Sequence, residues 1–381
     1  MAHARTKTLG LGLIGCGGFG EYCLETYAHT PHLRVAAAGD TVRAAADRVA
    51  GRFGIPAQYD AGALIRRDDV DIVHIATPPS THGELALAAI AAGKQVLVEK
   101  PLAVRLADAD AILAAAAARR AIAPVNFVLR YSPVVQAVQA IIDSGVLGKP
   151  LHAVFENFAQ DEGLGPHHWF WDRQVSGGIF IEHAVHFFDL YAGWLGRGRV
   201  VAAHAERRGH SAAQDRVMCI TRYDSGAVAY QYHGFDQAQR MDRQNHHLLF
   251  ELGDLYVFGW VPQSLVLTAL VDEQRLSQIL EFVPGSEVSV LERYAEGPAQ
   301  AFHSRWQTRH ATQKVRLEWG TSLSKDGLYR QCIGSLMSDQ LAYLADRAHH
   351  RRVTEHNGRD ALELAVQATE LAGFNKHGRL V

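Results

Sequence analysis

Three side chains in this 381-residue sequence suit the removal of a proton from oxygen: Lys100, Glu182 and His186. Lys100 sits in VEKPLA (98–103). Pro101 turns the residue before it away from helical dihedrals, so the ammonium is expected to project from a strand end, where it can hold a hydroxyl and stabilise developing alkoxide charge. In SGGIFIEHAVHFFDLYAGWLG (176–196), Glu182, His186 and Asp189 fall at i, i+4 and i+7. On a helix that is one stripe of one face, and Ile179, Val185, Phe188 and Leu195 serve the core. Imidazole titrates near neutrality, so a histidine with an acid one turn away suits proton transfer. The plain alternatives are a core histidine and a solvated lysine.

A second chemistry is written at the start of the chain. GLIGCGGFG (12–20) places Gly15, Gly17, Gly18 and Gly20 within six residues, straight after the first apolar run. Gly15-x-Gly17-x-x-Gly20 between a strand and a helix lets a pyrophosphate approach the backbone, with the helix N-terminus stabilising its charge. Asp40, twenty residues beyond Gly20, can accept hydrogen bonds from the adenosine ribose hydroxyls and would repel a 2′-phosphate. NAD is therefore favoured over NADP, with Arg43 as the residue that could serve NADP instead. The competing interpretation is a tight strand–helix turn without a ligand.

The elements that must position these groups alternate in type. Leu9–Ile14, Leu33–Ala38, Asp71–Ala76, Gln95–Val98 and Ile122–Phe127 read as strands. Tyr22–His29, Val42–Phe53, Gly83–Ala92 and Leu106–Arg120 read as helices between them. This spacing predicts a parallel, doubly wound α/β sheet. From Gly148-Lys149-Pro150 the pattern changes. Leu151–Phe158, Val200–Arg207, Arg216–Tyr223, Ala227–His233, His247–Leu252 and Leu255–Gly259 read as an antiparallel or mixed sheet. Helices are expected at Gly177–Leu195, Leu328–His349 and Arg359–Phe374, and further strands in a long insertion at 272–326. The expected architecture is a Rossmann dinucleotide-binding domain over 5–127 followed by an α+β domain over 128–381 with a predominantly antiparallel, open-faced sheet.

Composition bounds the partners. With 48% hydrophobic residues, formal charge −2 and pI near 6.9, nothing favours nucleic acid or an anionic membrane. Four scattered cysteines without a C-x-x-C pair argue against a zinc or disulfide framework and fit a reducing cytoplasm. The N-terminal MAHARTKT has no apolar signal core, and no run reaches transmembrane length.

Three further loops, ATPPSTH (76–82), VEKPLA (98–103) and NFVLRYSP (126–133), follow strands of the first domain. In this combination the sequence resembles the glucose–fructose oxidoreductase / inositol dehydrogenase / rhizopine catabolism (Gfo/Idh/MocA) family. The matching residues are Thr77, Pro78 and His82; Glu99, Lys100 and Pro101; and Asn126, Arg130, Tyr131 and Pro133. The resemblance implies NAD bound by Gly15, Gly17, Gly18, Phe19, Gly20, Asp40, Thr77, Pro78, His82, Glu99, Lys100, Asn126 and Arg130. His82 alternatively caps the following helix. The family's catalytic acid and histidine, carried over, are Glu182 and His186 beside Lys100. Glu182 stands where Asp is usual, which lengthens the arm by a methylene, and Ala184 where Gly is usual.

The segment before the catalytic helix, QDEGLGPHHWFWD (160–172), borders the substrate pocket in the family. His167, His168, Trp169 and Trp171 are thus expected, with Lys100, Glu182, His183 and His186, to face a sugar ring; aromatic filler is the alternative. His167, His168, His183, Glu182 and His186 match no established metal-binding spacing, and no metal is expected. The implied activity is NAD-dependent oxidation of a secondary hydroxyl of a sugar, cyclitol or glycoside. The alternatives are redox-assisted glycoside cleavage and a non-catalytic cofactor-binding regulator. A homodimer or homotetramer joined through the C-terminal sheet is also implied.

Overall fold

The computed structural model describes residues 7–161, 163–209 and 213–373. In chain order the first elements are β1 (Leu9–Ile14), α1 (Gly18–Tyr27), β2 (Leu33–Gly39), α2 (Arg43–Phe53), β3 (Ala57–Gln58), α3 (Ala61–Ile65), β4 (Ile72–Ile75), α4 (His82–Ala91), β5 (Gln95–Val98) and α5 (Leu106–Arg119). The middle of the chain forms α6 (Pro133–Ser144), β6 (Pro150–Phe158), α7 (Arg173–Ser176), α8 (Val185–Leu195), β7 (Gly198–Arg207), β8 (Gln214–Tyr223), β9 (Val228–Gly234), β10 (Arg243–Phe250), β11 (Gly253–Phe258) and β12 (Ser264–Val271). The rest comprises α9 (Glu273–Phe282), β13 (Glu287–Arg293), β14 (Ala301–Ser304), β15 (Gln307–His310), β16 (Gln313–Gly320), α10 (Lys325–Ala345) and α11 (Glu355–Leu371).

Two compact units result. The first comprises the chain up to Arg130, Gly165–Asp189 and Tyr329–Val366; the second comprises Tyr131–Leu164, Leu190–Leu328 and the chain from Gln367. The first unit holds a parallel sheet in the order β3-β2-β1-β4-β5. Its central strands are buried because helices cover both faces: all four residues of β4, His74 included, are buried. Helices α10 and α11 add to this unit late in the chain. Tyr329 of α10 stacks on Tyr22 of α1 with centroids 5.8 Å apart, and Arg330 pairs with Glu25 at 2.9 Å. Glu355 of α11 accepts the Ala123 N–H at 3.1 Å.

The alternation of strand and helix is as the sequence predicts, with three differences. Helix α1 starts at Gly18, inside the glycine turn, and the short β3 and α3 carry no sequence signal of their own. The segment expected as a strand at Ile122–Phe127 runs parallel to β5, bonding through Val96 N–Ile122 O, Val98 N–Pro124 O and Asn126 N–Val98 O. Only the Val98–Val125 bridge is regular, because Pro124 has no N–H to donate and the chain turns tightly at Asn126–Val128.

The second unit holds a nine-stranded mixed sheet, ordered β13-β16-β12-β11-β10-β6-β9-β8-β7, in which only β6 and β9 pair in parallel. Side chains alternate along its strands between buried and part-exposed positions, as in Ser264–Val271. Stretch 272–326 contains helix α9, capped by Asp272 through the Arg275 N–H, besides the expected strands. Strands β14 and β15 form a separate hairpin. The predicted end of the last helix, Phe374, lies outside the described residues. Among the described residues, no helix is long and apolar enough to cross a membrane.

Under this sheet Phe155 lies between His233 and His246, with ring centroids 5.1 and 4.9 Å away. Both histidines are fully buried, and desolvation holds each pKa down at about 3. An unfolded histidine binds its proton near pH 6.5. As pH falls below that value the unfolded chain therefore gains protons that the folded rings refuse, and stability is lost. The two rings together should destabilise the sheet by about 3 kcal/mol per unit of pH once both unfolded forms are protonated. Urea midpoints measured from pH 7 to pH 4.5 check this. In His246→Leu the slope attributable to the pair should halve, and an unchanged slope would remove the pair as its source.

Candidate active site

The glycines of the first turn serve distinct ends. Gly15 has φ +102°, and a Cβ there would lie 2.3 Å from the Ala76 carbonyl oxygen; one on Gly20 would lie 2.2 Å from the Gly15 carbonyl oxygen. A Cβ on Gly17 or Gly18 would meet nothing within 4 Å. The protein itself has no need of that room. Gly17 caps α1 without a side-chain hydrogen bond, so the helix N-terminus presents backbone N–H groups and positive dipole to an anion. Phe19, 38% exposed, lies next to Tyr22 and Tyr329.

Asp40 stands at the carboxyl end of β2. Its Oδ2 accepts the Cys16 N–H and its Oδ1 the Val42 N–H, both at 2.8 Å, and each oxygen retains a lone pair for a ribose hydroxyl. Arg43 rests over the Tyr59 ring at 3.8 Å, and the Tyr59 hydroxyl donates to Asp47 at 2.6 Å. The open glycine cradle, the uncapped helix N-terminus and the anchored acid fit a dinucleotide. NAD should accordingly bind at least about tenfold more tightly than NADP, roughly 1.4 kcal/mol, and Asp40→Ser should close or reverse that gap. Calorimetry of both cofactors decides the point; tighter binding of NADP by the wild type would mean that Arg43, not Asp40, sets the preference.

Behind the cradle, side chains tie the loops together. His82 begins α4 and is fully buried, with Nδ1 2.7 Å from the Pro101 carbonyl oxygen and Nε2 2.8 Å from that of Thr77. Burial holds its pKa below the usual histidine range. The ring thus lies behind the loops it joins rather than at their surface. Thr77 Oγ1 is 2.7 Å from Thr81 Oγ1, and Pro78 accepts the Thr81 hydroxyl at 2.9 Å through its carbonyl. Glu99 and Asn126 turn towards each other: Asn126 Nδ2 donates to Glu99 Oε1 at 2.7 Å, and His74 Nε2 reaches the same oxygen at 3.0 Å.

Lys100 follows Glu99 and precedes a cis-proline. Its ammonium donates to the Glu182 carbonyl at 3.0 Å and pairs with the Glu182 carboxylate. Glu182 lies in one turn of π-helix, Phe180–Ala184, ahead of α8, where a continuous α-helix is expected from the sequence. The wider turn offsets Glu182 from His186 and Asp189 of α8, and the three residues take separate partners. Glu182 meets Lys100. The buried His186 ring packs edge-on against Phe127 with centroids 5.8 Å apart. Asp189 takes both Arg130 Nε (2.7 Å) and Nη2 (2.8 Å), plus Asn357 Nδ2 at 3.2 Å. Arg130, expected beside the cofactor, clamps the first turns of α8 through this pair.

Burial first, and the Lys100 charge second, lower the His186 pKa to about 3. The imidazole is therefore neutral at rest across the physiological range, whereas an unperturbed histidine would be titrating there. His183 is buried with its ring 5.3 Å from that of Phe187. In the preceding segment His167 is exposed, while His168, Trp169 and Trp171 are half-buried. His168 Nδ1 accepts the Phe170 N–H at 3.3 Å, starting a single 3₁₀ turn over Trp169–Trp171. Asp172 then caps α7, which packs on Pro79–Thr81 beside the Thr77-Pro78 loop. Among the described residues, the metal-capable donors that converge are Cys23, His74 and Glu99, none of them in the histidine-rich set around Glu182.

Residues 9–127 match the oxidoreductase family with an NAD-binding Rossmann fold (Gfo/Idh/MocA), and residues 135–254 match the C-terminal domain of the same family. Together the two matches cover more than half of the chain.

The chain belongs to the Gfo/Idh/MocA family.

Among its relatives is the scyllo-inositol 2-dehydrogenase (NAD(+)) of Bacillus subtilis strain 168, 29% identical over 66% of this chain and 72% of that protein. The 1,5-anhydro-D-fructose reductase of Ensifer adhaerens is 34% identical over 45% of this chain and 52% of its own length. A levoglucosan dehydrogenase in complex with NADH and levoglucosan shares the fold, with a TM-score of 0.76 at 20% identity over 96% of this chain and 97% of that one. Two polar residues of this Gfo/Idh/MocA chain, His74 and Asn357, escape any reading from sequence. His74 sits in an apolar strand, and Asn357 lies more than 160 residues from the aspartate it bonds.

Proposed function

We propose that this chain oxidises a secondary hydroxyl of a sugar or cyclitol with NAD, using Lys100, Glu182 and His186. The observation that carries the proposal is the Lys100 ammonium held on the Glu182 carbonyl and carboxylate, with its charge felt by the buried, neutral His186. An ammonium has three N–H groups. Two are engaged by Glu182, and the third remains for a substrate oxygen. Bound NAD would supply the hydride acceptor. Lys100 then stabilises negative charge building on the oxygen, while His186, unprotonated at rest, accepts the hydroxyl proton. Glu182 fixes the ammonium and offsets its charge. Gly17, Gly18 and the N-terminus of α1 would take the pyrophosphate, and Asp40 the adenosine ribose.

Incubation with NAD and a panel of inositols, anhydrosugars and glycosides tests the proposal. NADH formation supports it. Aglycone release without net NADH would assign redox-assisted glycoside cleavage to the same groups, and NAD binding without turnover of any compound would leave a cofactor-binding regulator.

A further inference from the structure

Lys100 is flanked by two residues that are held from behind. On one side Glu99, 7% exposed, accepts Asn126 Nδ2 at 2.7 Å and meets His74 Nε2 at 3.0 Å on the same oxygen. A carboxylate only accepts, so Nε2 carries the proton and His74 is a donor here. Its ring is fully buried in β4 and stands edge-on to Tyr27 of α1, with Cys23 completing the cluster. On the other side, the Pro101 carbonyl is bound by His82. The backbone entering this stretch is pinned as well, since the Glu99 N–H donates to Ile75 O at 2.9 Å.

We propose that His74 is a positioning residue for Lys100: together with Asn126 it holds the Glu99 carboxylate and so fixes the peptide from which the Lys100 ammonium reaches Glu182. The inference rests on Lys100 having the catalytic role assigned above. His74 touches no reacting group. Its effect is geometric, and a displacement near 1 Å at a reacting group can cost about 10²-fold in rate.

The test uses the full chain with His74→Phe, which fills the volume without donating, and His74→Gln, whose amide can donate from nearly the same place. NADH formation is followed with myo-inositol, scyllo-inositol and levoglucosan, NAD affinity by calorimetry, and the Lys100 position by crystallography. His74→Phe should lower kcat by about tenfold to a hundredfold, with KM and NAD affinity within about twofold, and should move the Lys100 ammonium off the Glu182 carbonyl. His74→Gln should recover most of the rate. A wild-type kcat in His74→Phe, a Gln variant no better than Phe, or a loss confined to NAD affinity would each overturn the proposal. Should His74→Phe fail to fold, Asn126→Ala removes the other donor and must shift kcat and Lys100 the same way. If the wild type oxidises none of the three polyols, the catalytic reading fails on its own, and the position of Lys100 in the variant crystals still decides whether His74 places it.

Discussion

Lys100→Ala should lower kcat by about 10²- to 10³-fold while NAD still binds, because the ammonium acts on charge that develops only in the transition state. Two secondary effects follow from its surroundings. Glu182 is 6% exposed and would keep a buried carboxylate without its cation, so the variant should melt a few degrees lower. Loss of the nearby charge should also raise the His186 pKa, though burial, the larger cause, keeps it below the ordinary value. Stopped-flow NADH formation, NAD calorimetry and thermal melting separate these effects. Near-normal turnover would take Lys100 out of the mechanism. A loss of NAD affinity equal to the loss of rate would make it a cofactor ligand instead.

The second large effect concerns His186 and pH. From sequence, an ordinary histidine titrating near pH 6.5 predicts an acid limb close to neutrality. The buried ring, with its pKa near 3, already stands neutral in the free enzyme, so kcat/KM should be flat from pH 8 down to about pH 5 as far as this group is concerned. His186→Asn keeps a polar contact but cannot take the proton, and should cost about 10²- to 10⁴-fold in kcat. Glu182→Gln should cost less, since the amide still accepts from Lys100. A wild-type acid limb near pH 6.5 that persists in His186→Asn and vanishes in Glu182→Gln would exchange the two roles and make the glutamate the base.

Local order set much of what was legible. Strand β1, the glycine turn and the start of α1 are contiguous; Gly15 and Gly20 answer constraints from the neighbouring strand end and within the turn, while Gly17 and Gly18 leave open space. Asp40 is legible for the same reason, since it ends the strand next to β1. The nine-stranded sheet is readable as alternating runs, though not the helix α9 inside 272–326.

What each polar side chain bonds to is another matter. Glu182, His186 and Asp189 share a spacing that a continuous α-helix would turn into one stripe; the π turn at Phe180–Ala184 offsets Glu182 from the two residues of α8, and no residue pattern announces it. Arg130, expected beside the cofactor, also pairs with Asp189, 59 residues away, and no local pattern announces that pairing. His74 in DIVHIA is indistinguishable from a core residue until β4 lies beside the carboxyl end of β5 and brings it to Glu99. The sequence by itself determined the alternating strands and helices, the dinucleotide turn and the reactive residue types, because these follow from backbone periodicity and short-range sterics. Only the tertiary structure decided which of those residues brace one another, because a buried polar group must find its partner wherever the fold brings one.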